Sequence, residues 1–178
     1  LIAMPGKLQT DIAYGFTAIT RDDPAFYAYW LMNHIMGQYS MGGRLGDSIR
    51  ERQGMAYYVV SGFDANVAEG PLLVRAGVSP SNVDKAIASI DEELTALRRD
   101  GFTPREIDES KRYLIGSLPR QLETNAAIAA FLLNSEQFGL GLDYDVRLPA
   151  LVDAVTLDDA NAAARRLLDP GCATIAIA

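Results

Sequence analysis

The sequence has one cysteine and one histidine in 178 residues, and both scarcities narrow what it can do. A lone thiol, Cys172, forms no internal disulfide and leaves the redox compartment open. It is expected to point into the core or along a strand as a small apolar residue. Transition-metal sites take several histidines, cysteines or carboxylates converging on one ion, and His34 and Cys172 stand far apart. No H-x-x-E-H, H-E-x-x-H or C-x-x-C is present, so no self-contained metal site is expected. His34, among apolar neighbours in LMNHIMG, reads as a structural, partly buried histidine. A G-x-S-x-G elbow and a P-loop are missing too, and GLGLD follows a helix rather than a strand, which is weak ground for a nucleotide site. No apolar run approaches the ~18–20 residues that span a bilayer. Nor is there a basic run, and a formal net charge of −7 argues against a surface that tracks nucleic-acid phosphates.

What remains is ordinary globular composition, 49% apolar and 22% charged, in a length able to bury a core without staples. Residues 1–178 read as a single domain, with no internal repeat, low-complexity tract or linker. The opening LIAMPGKLQ resembles neither a start nor a signal peptide, so the chain is expected to be an excerpt from a longer polypeptide. The compartment stays open, a soluble domain in the cytoplasm or exported.

Hydrophobic pattern supplies the elements. A strand is expected over residues 9–20, then a helix opened by Pro24 and ending at Gly37. After the loop QYSMGG comes a short helix with Leu45 and Ile49 four apart. Two strands around a polar turn at residues 64–70 form a hairpin. Val83, Ile87, Ile90, Leu94 and Leu97 share one face of a long helix stopped by Gly101, and the carboxylates of DEELTALRRD are its solvated face. TPRE, residues 103–106, is a capping box that starts another helix, to about Gln121. Thr124 begins a third, with Ile128, Phe131, Leu132 and Ser135 stacked toward Phe138. A loop containing Gly139, Gly141 and Pro149 leads to a helix start at TLDD; Pro170 and Gly171 end that helix before a last strand in CATIAIA. The order implies an α+β fold, helices packed over a mostly antiparallel sheet.

The least ordinary stretch is GRLGDSIRERQGMAYYVVSG, residues 43–62, where Arg50 and Tyr57 stand seven apart across a helix-to-strand turn. Packing accounts for both. A cation suits a helix C-terminus, Asp47 can pair with it at i,i+3, and a strand tyrosine can bond its hydroxyl locally. So does chemistry. A guanidinium holds a peptide carbonyl or carboxylate, and a neutral phenol can steady an oxyanion. Residue pattern alone leaves both readings open. Period-two alternation sends Tyr58 to the opposite side from Tyr57, as a packing residue.

This stretch resembles the G-R-L, then I-R-E-x-x-G-L-A-Y, signature of the pitrilysin/insulinase family of zinc peptidases, which includes the mitochondrial processing peptidases. The resemblance extends upstream through QTDIAYGFTAITRDDPAFYAYWLMNHIMG and downstream to GFTPREIDESK. In that family two similar α+β halves close like a clamshell, one bearing the zinc motif and the other an arginine–tyrosine pair. The resemblance implies that this chain is the second, non-catalytic half, with Arg50 anchoring substrate backbone and Tyr57 polarising the scissile carbonyl or its oxyanion. It implies no cofactor in this chain, zinc on a partner half in the same polypeptide or another subunit, and peptide substrates. Arg44 matches a family position as well and reads as a loop-to-helix anchor. The alternative is a structural homologue without proteolytic role, as the core subunits of the cytochrome bc1 complex largely are.

Overall fold

The computed structural model describes residues 6, 8–39 and 42–178. The expected loop QYSMGG includes residues 40 and 41, outside that range, as does most of the opening stretch. Four strands form one sheet: β1 (Thr10–Thr17), β2 (Ala56–Phe63), β3 (Pro71–Val78) and β4 (Thr174–Ile177), in the order β2-β3-β1-β4. Every pairing is antiparallel. The hairpin β2–β3 sits where the polar turn was expected, and β4 returns from the chain's far end to pair with β1.

Period-two alternation decides the two faces of this sheet. One face carries Val59, Ala76 and Ile12 in one row, Ser61, Val74 and Tyr14 in the next, and Phe63, Leu72 and Phe16 in the third. These residues are buried, apart from the half-buried Phe63, and face the helices. The Tyr14 hydroxyl donates to Asp91 Oδ1 on the overlying helix at 2.7 Å, tying sheet to helix layer. The other face presents Tyr58, Gly77 and Asp11, then Val60, Arg75 and Ala13.

The helices are α1 (Phe26–Asn33), α2 (Gly43–Leu45), α3 (Val83–Asp100), α4 (Pro104–Gln121), α5 (Asn125–Gln137), α6 (Tyr144–Asp153) and α7 (Leu157–Leu167). Two of them run on into wider π-helical turns, α1 through His34–Gln38 and α2 through Gly46–Arg52. Ala86, Ile90, Leu94 and Leu97 bury the expected face of α3, while Val83 and Ile87 stay half-exposed. The expected capping box forms at Thr103 with Glu106, and the helix start at TLDD carries a second one, Thr156 with Asp159.

Three expectations need correcting. The loop leading to TLDD contains α6, because Tyr144, Leu148 and Val152 recur at helical spacing and bury one face despite Pro149 inside it. The stack expected along α5 does not bury: only Ser135 is buried, and Ile128 and Leu132 are exposed. That helix is apolar nearly all round, so periodicity could not select its inner face. Cys172 is exposed in a short 3-10 turn, Pro170–Cys172, just outside the last strand.

Candidate functional site

Residues 42–58 turn the chain from helix to strand. Gly42 and Gly43 both have positive φ, 109° and 59°, and a side chain on Gly43 would lie 2.3 Å from the carbonyl oxygen of Ile35. Glycine is therefore required where α2 crosses the end of α1. Leu45 and Ile49 are fully buried and hold the segment against the core. Gly54, at φ 61°, ends it: its N–H donates to Arg50 O at 3.0 Å, and the Met55 N–H reaches Ile49 O at 3.1 Å. This closure has the left-handed glycine of a Schellman motif, lengthened by the π-helical turn. Buried Met55 then anchors the entry to β2.

The wider turn redirects the charges. Asp47 does not pair with Arg50, as ordinary helical spacing led one to expect; it pairs with Arg52 at 3.1 Å, five residues on. Hydrogen bonds from i to i+5 widen the turn, which shifts which side chains stack. Arg50 instead lies 3.7 Å from Glu51, with its side chain about a third exposed, at 35%.

Tyr57 is the extra residue of a β-bulge. Ala56 pairs with Val78 and Tyr58 with Gly77, leaving Tyr57 between them without a partner on β3. Bulges re-aim a side chain, and Tyr57 is 64% exposed, its hydroxyl making no hydrogen bond among the described residues. The bulge also removes the basis for simple alternation between the two tyrosines. Tyr58 is a packing residue, as expected: its ring fills the space over Gly77, and its hydroxyl donates to Asp11 Oδ1 at 3.0 Å. Burial, then that bond to a carboxylate, raises the Tyr58 pKa above the usual phenol value.

Arg44 anchors the start of the same segment. Its Nε and Nη2 donate to the two oxygens of Glu106 at 2.5 and 2.6 Å, and Nη2 also reaches the carbonyl of Gly101 at 3.1 Å. Glu106 is at once the capping residue of α4, so one carboxylate ties two helix starts together. Burial alone would raise the Glu106 pKa; the bonds from Arg44 and Thr103 outweigh it and hold the carboxyl below its usual value.

A cavity of about 630 Å³ lies beside this junction, lined by Arg44, Asp47, Glu51, Arg52, Glu93 and Glu106 among others, but by neither Arg50 nor Tyr57. Its carboxylates are engaged by arginines: Glu106 by Arg44, Asp47 and Glu93 by Arg52. His34 is buried in the core. At 3% exposure it hydrogen-bonds Ser110 Oγ through Nδ1 at 2.6 Å and stacks on Tyr113, with centroids 5.0 Å apart. Burial lowers its pKa to about 4, so the imidazole is neutral. Among the described residues no three histidine, cysteine, aspartate or glutamate side chains cluster as a metal ion requires. The described residues do not fit a zinc site.

A family profile described as the peptidase M16 inactive domain matches residues 2–114. The chain belongs to the peptidase M16 inactive-domain family. Among its relatives, an uncharacterised zinc protease, YmxG of Bacillus subtilis, is 31% identical over 160 residues, which are 89% of this chain and 39% of that protein. A Helicobacter pylori protein described as a non-peptidase homologue is 29% identical over 135 residues, 74% of this chain and 30% of its own length. The crystal structure of a peptidase M16 inactive domain from Pseudomonas fluorescens superposes with a TM-score of 0.86 at 27% identity, covering 96% of this chain and 41% of that one. The chain thus spans about a third to two fifths of the length of these proteins, and the M16 inactive domain shares its α+β architecture. No helix among the described residues is long and apolar enough to cross a membrane.

Proposed function

We propose that residues 1–178 act as one non-catalytic, substrate-binding unit of a zinc peptidase and present Arg50 and Tyr57 to a peptide held against a zinc-bearing partner half. The observation that carries this reading is the turn at Gly54. A buried anchor on each side, Ile49 and Met55, fixes a helix end and a bulged strand start, and the bulge holds an exposed phenol with no hydrogen bond among the described residues. A tyrosine kept only for packing would be covered or bonded, as Tyr58 is.

The chemistry follows from the two groups. The Arg50 guanidinium is charged at any working pH and offers several fixed donors to a substrate carbonyl or carboxylate. Tyr57 is a directional donor, and a donor aimed at the oxygen where charge develops during amide cleavage stabilises the transition state more than the bound peptide. Metal and attacking hydroxide are the partner's contribution, in the same polypeptide or another subunit. The second reading, a homologue that keeps the fold without proteolysis, is favoured by the kinship with a non-peptidase homologue.

The test assembles this chain with its zinc-bearing half and follows chelator-sensitive cleavage of a quenched peptide. Arg50→Ala and Tyr57→Phe are expected to lower turnover by about 10²-fold or more with the melting temperature unchanged. Near-normal turnover in both variants sinks the assignment, and an assembled wild type without chelator-sensitive cleavage favours the scaffold reading. This chain alone is expected to bind no stoichiometric zinc by metal analysis.

A further inference from the structure

At the other end of β2 from Tyr57, some 20 Å away at the usual strand rise of about 3.3 Å per residue, a second groove opens. Its volume is about 400 Å³, and α1, α4, α5, α6 and the β2–β3 turn enclose it. Small-ligand pockets span roughly 300–1,000 Å³. The walls are aromatic: Phe26 lies 5.7 Å from Phe63 and 6.3 Å from Trp30, centroid to centroid, and Phe131 stacks on Tyr144 at 5.6 Å. Apart from the buried Tyr144, these rings are half-exposed, so the groove is open rather than filled.

Arg21 also lines it. Its guanidinium carbon sits 3.6 Å from the centroid of Phe26, and Nη2 donates to the Tyr144 hydroxyl at 3.0 Å. A guanidinium stacked on a ring keeps its N–H donors in its own plane, so stacking uses none of the five. The Tyr144 oxygen is the one acceptor that the Arg21 side chain has among the described residues, and no carboxylate there lies within ion-pair reach of it. In a chain with 23 acidic residues against 16 basic ones, a half-buried arginine without a carboxylate is out of keeping with its neighbours. The other half-buried arginines among the described residues, Arg44 and Arg50, each have one. Asp64, exposed on the turn, is the one acid of the lining, and the carboxamides of Asn66, Gln121, Asn134 and Gln137 add groups that both donate and accept to the groove.

We propose that this groove binds the C-terminal residue of a peptide, with its large apolar side chain between the aromatic walls and its terminal carboxylate on Arg21. The carboxamides then meet the backbone of the preceding residues. The site uses neither Arg50 nor Tyr57 and stands whether or not that pair faces substrate.

Trp30 is the only tryptophan in the chain, so its emission reports occupancy directly. The experiment titrates the protein with N-acetyl-Gly-Gly-Phe as the free acid, with the same peptide as its C-terminal amide, and with N-acetyl-phenylalanine. The acid peptide is expected to give a saturable change, with binding at least about tenfold weaker for the amide and for Arg21→Gln. Arg21→Lys keeps the charge and restores part of that loss; Asn134→Phe, which leaves Arg21 intact, narrows the groove and weakens the acid peptide. Equal binding of acid and amide overturns carboxylate recognition, and undiminished binding to Arg21→Gln places the ligand elsewhere. N-acetyl-phenylalanine binding as tightly as the tripeptide replaces the peptide terminus by a free apolar acid. No saturable response to millimolar acid peptide overturns the site.

Discussion

Residues 43–58 contain two arginine–tyrosine sets with opposite surroundings. Arg44 and Tyr58 are closed off: the first is clamped by both oxygens of Glu106, the second covers Gly77 and bonds Asp11. Arg50 meets Glu51 at 3.7 Å, and Tyr57 is lifted out by a bulge and well exposed. The residue types are the same, and their partners differ. Two backbone irregularities make the difference, a π-helical turn before Gly54 and an unpaired residue after it. The comparison teaches that tightly held and more exposed side chains can share one short segment, provided the held ones fix the backbone.

If the closed side is what fixes the segment, its failure should cost most. Gly43→Ala puts a methyl 2.3 Å from a backbone oxygen at φ 59°, whereas the same change at Gly54 meets open space at φ 61°. In urea titrations Gly43→Ala is expected to lose roughly 4 kcal/mol or more, and Gly54→Ala only the ~1–2 kcal/mol of a left-handed alanine. Equal losses would erase the contrast between a packed crossing and a free turn.

The closed side should also be the pH-sensitive one. His34 is neutral when folded because burial lowers its pKa to about 4, from an ordinary imidazole value of about 6.5. The unfolded chain therefore takes up a proton that the folded chain refuses. Stability is full above about pH 6.5 and falls as pH drops toward 4, by up to roughly 3 kcal/mol. His34→Phe should flatten that part of the profile, and an unchanged slope would assign it to other groups.

Arg44→Ala should cost less, about 1.5–3 kcal/mol for two charge-assisted bonds to a half-buried carboxylate. The sign with pH is the reverse of a raised group's: a Glu106 pKa held low gives stability present above its unfolded value and lost as pH falls through the folded one. Thermal melts across that acid range should show a shallower loss in Arg44→Ala than in wild type.

Much of this was legible in local signals. The capping boxes at Thr103 and Thr156 need only residues three apart, and the turn between β2 and β3 needs only its polar sequence. Arg44 as an anchor was also legible, though its partner 62 residues away was not. The bulge at Tyr57 could not be read, because it arises from register with β3 rather than from local preference, and no residue pattern announced the π-helical turn at Gly46–Arg52. The aromatic groove was missed for the same reason: Phe26, Phe63 and Phe131 come together only when α1, β2 and α5 are in place. Helix α6 was hidden by Pro149, although Tyr144, Leu148 and Val152 carried its periodicity.

The central claim is that adjacent tyrosines do different work, and one paired measurement addresses it most directly. Turnover of a quenched peptide by the assembled, zinc-bearing peptidase is compared for Tyr57→Phe and Tyr58→Phe, with melting temperatures taken on the same samples. The account predicts a fall of about 10²-fold or more for Tyr57→Phe at unchanged melting temperature. Tyr58→Phe should keep near-normal turnover while losing a little stability with its bond to Asp11. Equal turnover in the two variants, or a larger fall in Tyr58→Phe, would contradict it.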